Sequence, residues 1–212
     1  MSGCASGRVE TRYADRVSAH RGRLQRHVRP ARRFERLLLR VVQGLHRSPR
    51  SWDTTSNWPR RTALSPPAGT LRGIHYADVP PGQAKYVSCL RGRILDVIVD
   101  IRVGSPTFGR WHALELSEQV PRAVYIAEGL GHGFISLEDH STVIYLCSTG
   151  YNPAAEHEID PFDQDLGIQW GLTREAALLS AKDGAAPSLA QARDNGLLPD
   201  YSQCKRHYDS LR

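Results

Sequence analysis

The sequence predicts an all-β fold, a sandwich or barrel, for residues 71–212 of the 212-residue chain. Short apolar runs show a two-residue alternation, turns rich in glycine and proline separate them, and no helical pattern intervenes before Trp170. Residues 1–70 lack this texture and are predicted to form an atypical basic segment. The chain therefore divides at about residue 70 into this segment and a β-domain with a helical tail.

The alternation is clearest in RILDVIVDIR, where Val97, Val99 and Ile101 occupy one phase. The following GSPTFG is a turn, marked by Gly104, Pro106 and Gly109. Further short strands are predicted in KYVSCLRG, RWHALELS, RAVYIAEG, HGFISLED and STVIYLCST. About six strands at this spacing, without intervening helices, are typical of sandwiches and barrels.

The pattern becomes helical after Trp170. TREAALL and SLAQARDNGLL are predicted to be short helices, capped by Thr173 and Ser188 respectively. Gly196 is a suitable stop for the second helix. We expect this tail to pack on the outside of the β-domain.

The basic charge of the chain resides in residues 1–70, which hold fifteen Arg, no Lys and four acidic residues, a net charge of +11. Residues 71–212 hold thirteen Arg or Lys and eighteen Asp or Glu, a net charge of −5. The basic segment suggests a helix only from Ala31 to Gln43, begun by Pro30 and ended by Gly44. A nucleic-acid-binding arm, an organellar targeting segment and a disordered extension all stay open as interpretations. Because no nucleic-acid-binding motif is present, we expect no nucleic-acid partner.

Several classes of protein are not expected. No apolar run is long enough to predict a membrane span, and LLLRVV is too short and too charged for a signal peptide. The unpaired spacing of Cys4, Cys89, Cys147 and Cys204 argues against a zinc ribbon or disulfide framework and favours a reduced, cytoplasmic setting. A metal site is not expected either, because the chain has no His-x-His pair and spacing places no third ligand beside His75 and His132.

The stretch LRGIHYADVPPGQAKYV concentrates Arg72, His75 and Lys85 among strand and turn residues. In STVIYLCST the alternation puts Tyr145 on one face with Val143 and Cys147; if this face points into a barrel, the phenol enters an apolar interior. For each histidine or tyrosine taken alone, a structural role is the better interpretation.

Seven segments in one order resemble a known family: LRGIHY, QAKYV, DVIVDIRVGSPTFGRW, EGLGHGF, TVIYLCSTGYNPAAE, GIQW and LSAKDGAAPSL. Together, from about Thr70 to Leu189, they resemble the dTDP-4-dehydrorhamnose 3,5-epimerases. The resemblance implies a cupin-like jelly-roll barrel, usually a homodimer, that acts on a dTDP-keto sugar. It also implies neither a metal nor an organic cofactor.

The resemblance also assigns roles to single residues. It implies that His75 is the catalytic base and Asp183 its carboxylate partner. Tyr145 is then the acid and Lys85 the cation beside the substrate's C4 oxygen. The implied substrate-binding residues are Arg72, which could hold the diphosphate, with His132, Tyr151 and Lys182.

The implied reaction inverts C3 and C5 of a 4-keto sugar. Both carbons adjoin the carbonyl, so their protons can leave as an enolate forms. Inversion needs a base on one ring face and a proton donor on the other, and histidine titrates near neutral pH. A fixed cation stabilises the developing oxyanion. Two alternatives stay open: an epimerase that acts on one carbon only, and a non-catalytic cupin that binds a nucleotide sugar.

The basic segment departs from the family, which normally carries Asp-x-Arg-Gly-x-Phe and, just before LRG, Gln-x-Asn. Those residues help to bind the nucleotide, partly across the dimer, and neither pattern occurs in residues 1–70. The segment is either a divergent extension or a frameshifted reading of a GC-rich gene. Fifteen Arg without any Lys favour the frameshift, in which case the nucleotide site of this chain is incomplete.

Overall fold

The computed structural model describes residues 60–211. The helix expected from Ala31 to Gln43, and nearly all of the basic segment, lie outside these residues. Within the described part, nine strands form two antiparallel sheets: β1 (Arg60–Leu64), β2 (Leu71–Ala77), β3 (Lys85–Arg91), β4 (Arg93–Asp100), β5 (Trp111–Ser117), β6 (Ala123–Ile126), β7 (Leu130–Ser136), β8 (Thr142–Cys147) and β9 (Glu156–Glu158).

The strand order alternates between the two sheets. One sheet has four strands in the order β1-β8-β3-β6, and the other has five in the order β5-β4-β7-β2-β9. Strands that follow one another in sequence, such as β2 and β3, therefore often belong to different sheets. This arrangement is the cupin-like jelly roll expected from the sequence, so the predicted fold class is confirmed.

The two-residue alternation of β4 builds two separate apolar cores. Ile94 and Ile98 face the four-stranded sheet and join an inner core between the sheets. Val97 and Val99 face the opposite way and join an outer core with residues of the C-terminal region, among them Ile159, Trp170, Leu189 and Ala192. The five-stranded sheet is thus covered on both faces, and the tail packs on the outside of the β-domain as predicted.

The four-stranded sheet includes residues that precede Leu71. Strand β1 pairs with β8, and Thr62 lies opposite Tyr145. The division of the chain at residue 70 stays a prediction, since nearly all of the segment it separates lies outside residues 60–211.

The C-terminal region contains a 3-10 helix and three α-helices: 3-10 (Arg174–Ala176), α1 (Ala181–Gly184), α2 (Leu189–Asp194) and α3 (Tyr201–Ser210). Helix α2 begins as predicted, because the Ser188 hydroxyl accepts from the amide of Gln191 and the Gln191 side chain accepts from the amide of Ser188. Gly196 follows this helix with φ +68°. No helix between residues 60 and 211 is both long and apolar enough to cross a bilayer.

The short helix predicted for TREAALL forms only in part. Only one 3-10 turn forms there, and the Thr173 side chain does not cap it. The reason lies just downstream, where the amide of Leu178 donates to the carbonyl of Gly69 and its carbonyl accepts from the amide of Leu71. Since these bonds tie the backbone to the start of β2, the chain continues in an extended conformation.

A buried ion pair attaches helix α3 to the end of β4. Arg102 donates from Nε and Nη2 to the two carboxylate oxygens of Asp100, at 2.8 and 2.7 Å. Burial opposes the charge on Asp100, but these bonds and those from Ser105 and Thr107 outweigh it and lower the carboxyl pKa. Nη1 of Arg102 lies 3.5 Å from the hydroxyl of Tyr208 in α3.

We expect Asp100→Asn to lower the free energy of unfolding by about 3 kcal/mol, because it leaves the Arg102 guanidinium buried without its carboxylate. Urea denaturation followed by tryptophan fluorescence measures the loss. Asp194→Asn is the control, since it breaks the exposed pair between Arg193 and Asp194 and should leave stability almost unchanged. Equal effects of the two substitutions would contradict a special contribution from the buried pair.

Candidate active site

The two sheets enclose a cavity of about 220 Å³. Side chains from both sheets, together with one from the turn between β2 and β3, form its wall: Thr62, Leu64, Arg72, His75, Gln83, Lys85, His132, Phe134, Tyr145, Cys147 and Glu156. The wall therefore brings together five of the residues singled out in the sequence: Arg72, His75, Lys85, His132 and Tyr145. Arg72, His75 and His132 belong to the five-stranded sheet, whereas Lys85 and Tyr145 belong to the four-stranded sheet.

A β-bulge in β2 lets Arg72 and His75 reach the same cavity. A regular strand would place residues three positions apart on opposite faces. Here the pairing with β7 shifts register between these two residues, and Gly73 takes φ +131°. A Cβ on Gly73 would lie 2.5 Å from Cα of Gly133 on β7, so the bulge requires glycine.

His75 forms a hydrogen bond with a buried carboxylate that lies outside the cavity wall. Its Nε2 lies 2.6 Å from Oδ1 of Asp183, which belongs to α1 and is 1% exposed. Burial alone would raise the pKa of Asp183, but the hydrogen bond to His75 and that from Ser180 outweigh burial and lower the pKa. The pairing expected between these two residues is therefore present in the geometry, and their catalytic roles stay predictions.

His132 lies directly opposite His75 where β7 pairs with β2. Its Nε2 is 2.7 Å from Oδ1 of Asp96, and both side chains are buried. Burial lowers the pKa of His132 despite the nearby Asp96 carboxylate, so this imidazole is neutral at neutral pH. Oδ2 of Asp96 is buried without a hydrogen-bond partner among the described residues.

Asp96 was not singled out from the sequence, although a signal was available. It interrupts the apolar strand RILDVIVD in the same phase as Ile94 and Ile98, which face the space between the sheets. A carboxylate in that phase has to find a polar partner, since burying it alone is costly.

Tyr145 occupies the wall opposite His75. Its ring meets His132 edge-on at a centroid distance of 5.8 Å and packs against Phe134 at 6.1 Å. Burial, assisted by Asp96 and Cys147, raises the pKa of Tyr145 well above its ordinary value. The phenol therefore keeps its proton at neutral pH and is able to donate it.

Two cations face the same cavity. Nζ of Lys85 donates to the carbonyl of His75 at 3.4 Å. Nη1 of Arg72 donates to the carbonyls of Leu71 and Leu178 at 2.8 and 2.9 Å, which fixes the orientation of the guanidinium. The strands that carry Arg72 and Lys85 lie in facing sheets, because the ADVPPGQA turn crosses from one sheet to the other.

The structure does not place Tyr151 or Lys182 in the cavity wall. Tyr151 is exposed after β8, and Nζ of Lys182 lies 2.7 Å from Oε2 of Glu158 on β9. That hydrogen bond raises the pKa of Lys182. A substrate role for these two residues stays a prediction.

Two wall residues, Gln83 and Glu156, were not identified from the sequence as site residues. Nε2 of Gln83 donates to Oε1 of Glu156 at 3.3 Å, and both residues also line a neighbouring cavity of about 210 Å³. Gln83 lies in the QAKYV segment and Glu156 in the TGYNPAAE segment. Their presence in segments that resemble the family was the only indication in the sequence that they belong to the site. Across the described part of the chain, no three His, Cys, Asp or Glu side chains group as metal ligands would.

Acid–base groups thus lie on both walls of one cavity. A histidine with a carboxylate partner is on one wall and a protonated phenol is on the other, with a lysine and an arginine close by. This arrangement suits proton removal from one face of a flat substrate and proton delivery to the other face.

Comparison with known proteins points to the same family as the resemblance found in the sequence. The family model for dTDP-4-dehydrorhamnose 3,5-epimerase matches residues 54–191. A protein of that name from Mycolicibacterium smegmatis is 53% identical over 144 residues, which cover 68% of this chain and 70% of the relative.

Solved structures of epimerases have a similar fold. The rmlC epimerase of Mycobacterium tuberculosis has a TM-score of 0.70 and 49% identity, covering 72% of this chain and 77% of that one. A 3'-monoepimerase from Streptomyces bikiniensis, in complex with dTDP-quinovose, has a TM-score of 0.69 and 49% identity, covering 71% and 76%.

We expect Gly73→Ala to lower the free energy of unfolding by about 2 kcal/mol or more, because the new methyl group meets β7 and φ is positive at this position. Thermal unfolding measures the effect. Gly150→Ala is the control, since no atom lies within 4 Å of a Cβ at that exposed position. A Gly73→Ala protein as stable as the wild type would show that the bulge does not need glycine.

Proposed function

The chain belongs to the dTDP-4-dehydrorhamnose 3,5-epimerase family, and from this premise we propose that it inverts C3 and C5 of dTDP-4-dehydro-6-deoxy-D-glucose. The product is dTDP-4-dehydro-L-rhamnose, an intermediate for rhamnose or for the sugars of antibiotics. The observation that carries this proposal is the position of His75 and Tyr145 on opposite walls of one cavity.

His75 acts as the base in the proposed reaction. It takes the proton from C3 or C5, and the electrons of the broken C–H bond form an enolate whose charge lies on the C4 oxygen. Asp183, which is hydrogen-bonded to the imidazole, stabilises the imidazolium that results. Tyr145 then donates its phenolic proton to the opposite face of the same carbon, the C4 ketone re-forms, and solvent restores the proton of Tyr145 and removes that of His75.

Lys85 supplies the positive charge next to the enolate oxygen. A cation already fixed in a water-poor site stabilises a developing anion more than one in bulk water does. Arg72, held by two backbone carbonyls, is suited to the substrate's diphosphate. We assign His132 to the substrate pocket and Tyr151 and Lys182 to positions near the nucleotide or the sugar.

The number of carbons inverted is the finer part of the proposal. The Streptomyces bikiniensis relative is named a 3'-monoepimerase, and its identity to this chain is close to that of the Mycobacterium tuberculosis epimerase. An enzyme that acts on one carbon is therefore the second candidate.

We also propose a homodimer formed through the outer face of the four-stranded sheet. This face carries six apolar or aromatic side chains: Tyr86, Leu90, Ala123, Tyr125, Ile144 and Leu146. None of the six joins either apolar core of the described residues, and Leu90 is 59% exposed. An apolar sheet face of this kind favours association with a second copy.

We place the protein in the cytoplasm. The three cysteines in the described residues, Cys89, Cys147 and Cys204, are free thiols, which is usual in a reducing compartment.

The proposed reaction is tested by incubating the protein with its substrate in deuterated water and following exchange at C3 and C5 by NMR. We expect both positions to exchange in the wild type. His75→Ala should lose exchange at both positions by roughly 100-fold or more, because no base remains. Tyr145→Phe should keep exchange but lose inversion by a similar factor, since the donor on the opposite wall is absent.

His207→Ala in α3 is the control and should behave as the wild type. Exchange at one carbon alone would assign the second candidate. Binding of the nucleotide sugar without any exchange would contradict the proposed reaction and support a non-catalytic binding protein. Full activity in His75→Ala would show that the base is another residue.

We expect Tyr86→Arg to convert the dimer to a monomer, because it places a charge in the proposed apolar interface. Light scattering after size-exclusion chromatography measures the mass. Leu197→Arg is the control, since Leu197 is 37% exposed compared with 39% for Tyr86 and lies in the C-terminal region. A wild-type monomer, or a dimer that survives Tyr86→Arg, would overturn the proposed interface.

A further inference from the structure

The Ser180 hydroxyl makes two hydrogen bonds with Asp183. It accepts from the amide of Asp183 at 3.0 Å, as the N-cap of α1, and lies 2.6 Å from Oδ2 of the same residue. Asp183 is ionised at neutral pH, since its pKa is lowered. An ionised carboxylate only accepts, so the hydroxyl proton is donated to Oδ2.

The other carboxylate oxygen also accepts only. The amide of Gly73 is 3.5 Å from Oδ1 of Asp183, and Nε2 of His75 is 2.6 Å from it. Two acceptors cannot form a hydrogen bond, so Nε2 has to carry a proton. In the neutral ring this leaves Nδ1 as the unprotonated nitrogen.

Among residues 60–211, no other charged group replaces these contacts. From β2, Asp183 meets His75 and the amide of Gly73, and from its own turn it meets Ser180. The nearest cation in sequence, Lys182, pairs with Glu158 on β9 instead. The orientation and the ionisation of the Asp183 carboxylate therefore depend on the hydrogen bond from Ser180 as well as on His75.

We propose that Ser180 is a positioning residue: its hydroxyl holds the Asp183 carboxylate in place against Nε2 of His75 and thereby keeps the proton of the neutral ring on Nε2. Nδ1 of His75 is then the atom that takes the proton from the sugar. This inference rests on the proposed function for the catalytic step, whereas the tautomer is a property of the protein without substrate.

The tautomer is measured by NMR on the whole protein labelled with ¹⁵N-histidine, with His75→Gln to assign the signals. We expect the wild type to show a proton on Nε2 of His75 at a pH where the ring is neutral. Ser180→Ala should show a mixture of tautomers, and Ser180→Thr, which keeps a hydroxyl, should restore the wild-type pattern. A proton on Nδ1 in the wild type would overturn the proposal.

Kinetics test the consequence for the reaction. In Ser180→Ala we expect kcat for proton exchange to fall on the order of tenfold while KM changes by less than about twofold. The acid limb of the rate profile should move to higher pH, because Asp183 loses a hydrogen bond that favours its charged form. Ser180→Thr should return both values toward the wild type.

Ser188→Ala is the matched control. It removes the same kind of cap from α2, where the hydroxyl bonds to Gln191 and not to Asp183. Its kcat and pH profile should match the wild type, and identical kinetics in Ser180→Ala and Ser188→Ala would overturn the positioning role. Failure of the wild type to exchange would contradict the proposed function, while the tautomer measurement would still decide the assignment at His75.

Discussion

A sheet covered on both faces has to supply apolar side chains in both phases of its strands, and this constraint governs the five-stranded sheet. One phase of β4 packs against the four-stranded sheet and the other against the C-terminal region. Every polar residue between the sheets therefore displaces an apolar one and needs a partner. Asp96 and His132 form a hydrogen bond with each other, which meets that need, and Arg72 and His75 on the same sheet line the cavity.

The cavity holds two histidines, each with a carboxylate, in different surroundings. His75 is partly exposed and bonded to Asp183, whereas His132 is buried and paired with Asp96. The buried ring stays neutral, since its desolvation outweighs the neighbouring carboxylate. Two similar pairs on adjacent strands can therefore have different roles, because the solvent reaches only one of them.

The sequence predicts the strands well and the partners of the site less well. The alternation in RILDVIVDIR and STVIYLCST identified β4 and β8 and placed Tyr145 on one face with Val143 and Cys147, and in the structure Tyr145 lines the cavity. It could not predict that Arg72 and His75 share a face, because this depends on the positive φ of Gly73.

Long-range contacts set the other limit on what the sequence predicts. Local helix propensity failed in TREAALL, where backbone bonds at Leu178 to residues near the start of β2 decided the conformation. The pairing of His75 with Asp183, 108 positions apart, was predicted from family resemblance rather than from spacing.

The position of Asp183 also has a consequence for the folding of the newly made protein. During synthesis the barrel strands emerge first, so His75 lacks its carboxylate until the segment with α1 has docked against β2. Such distant contacts form slowly compared with local ones. With Asp183 in its proposed role, a folding intermediate in which the barrel forms before α1 docks would be inactive, and the appearance of activity would report the docking step rather than the closure of the sheets.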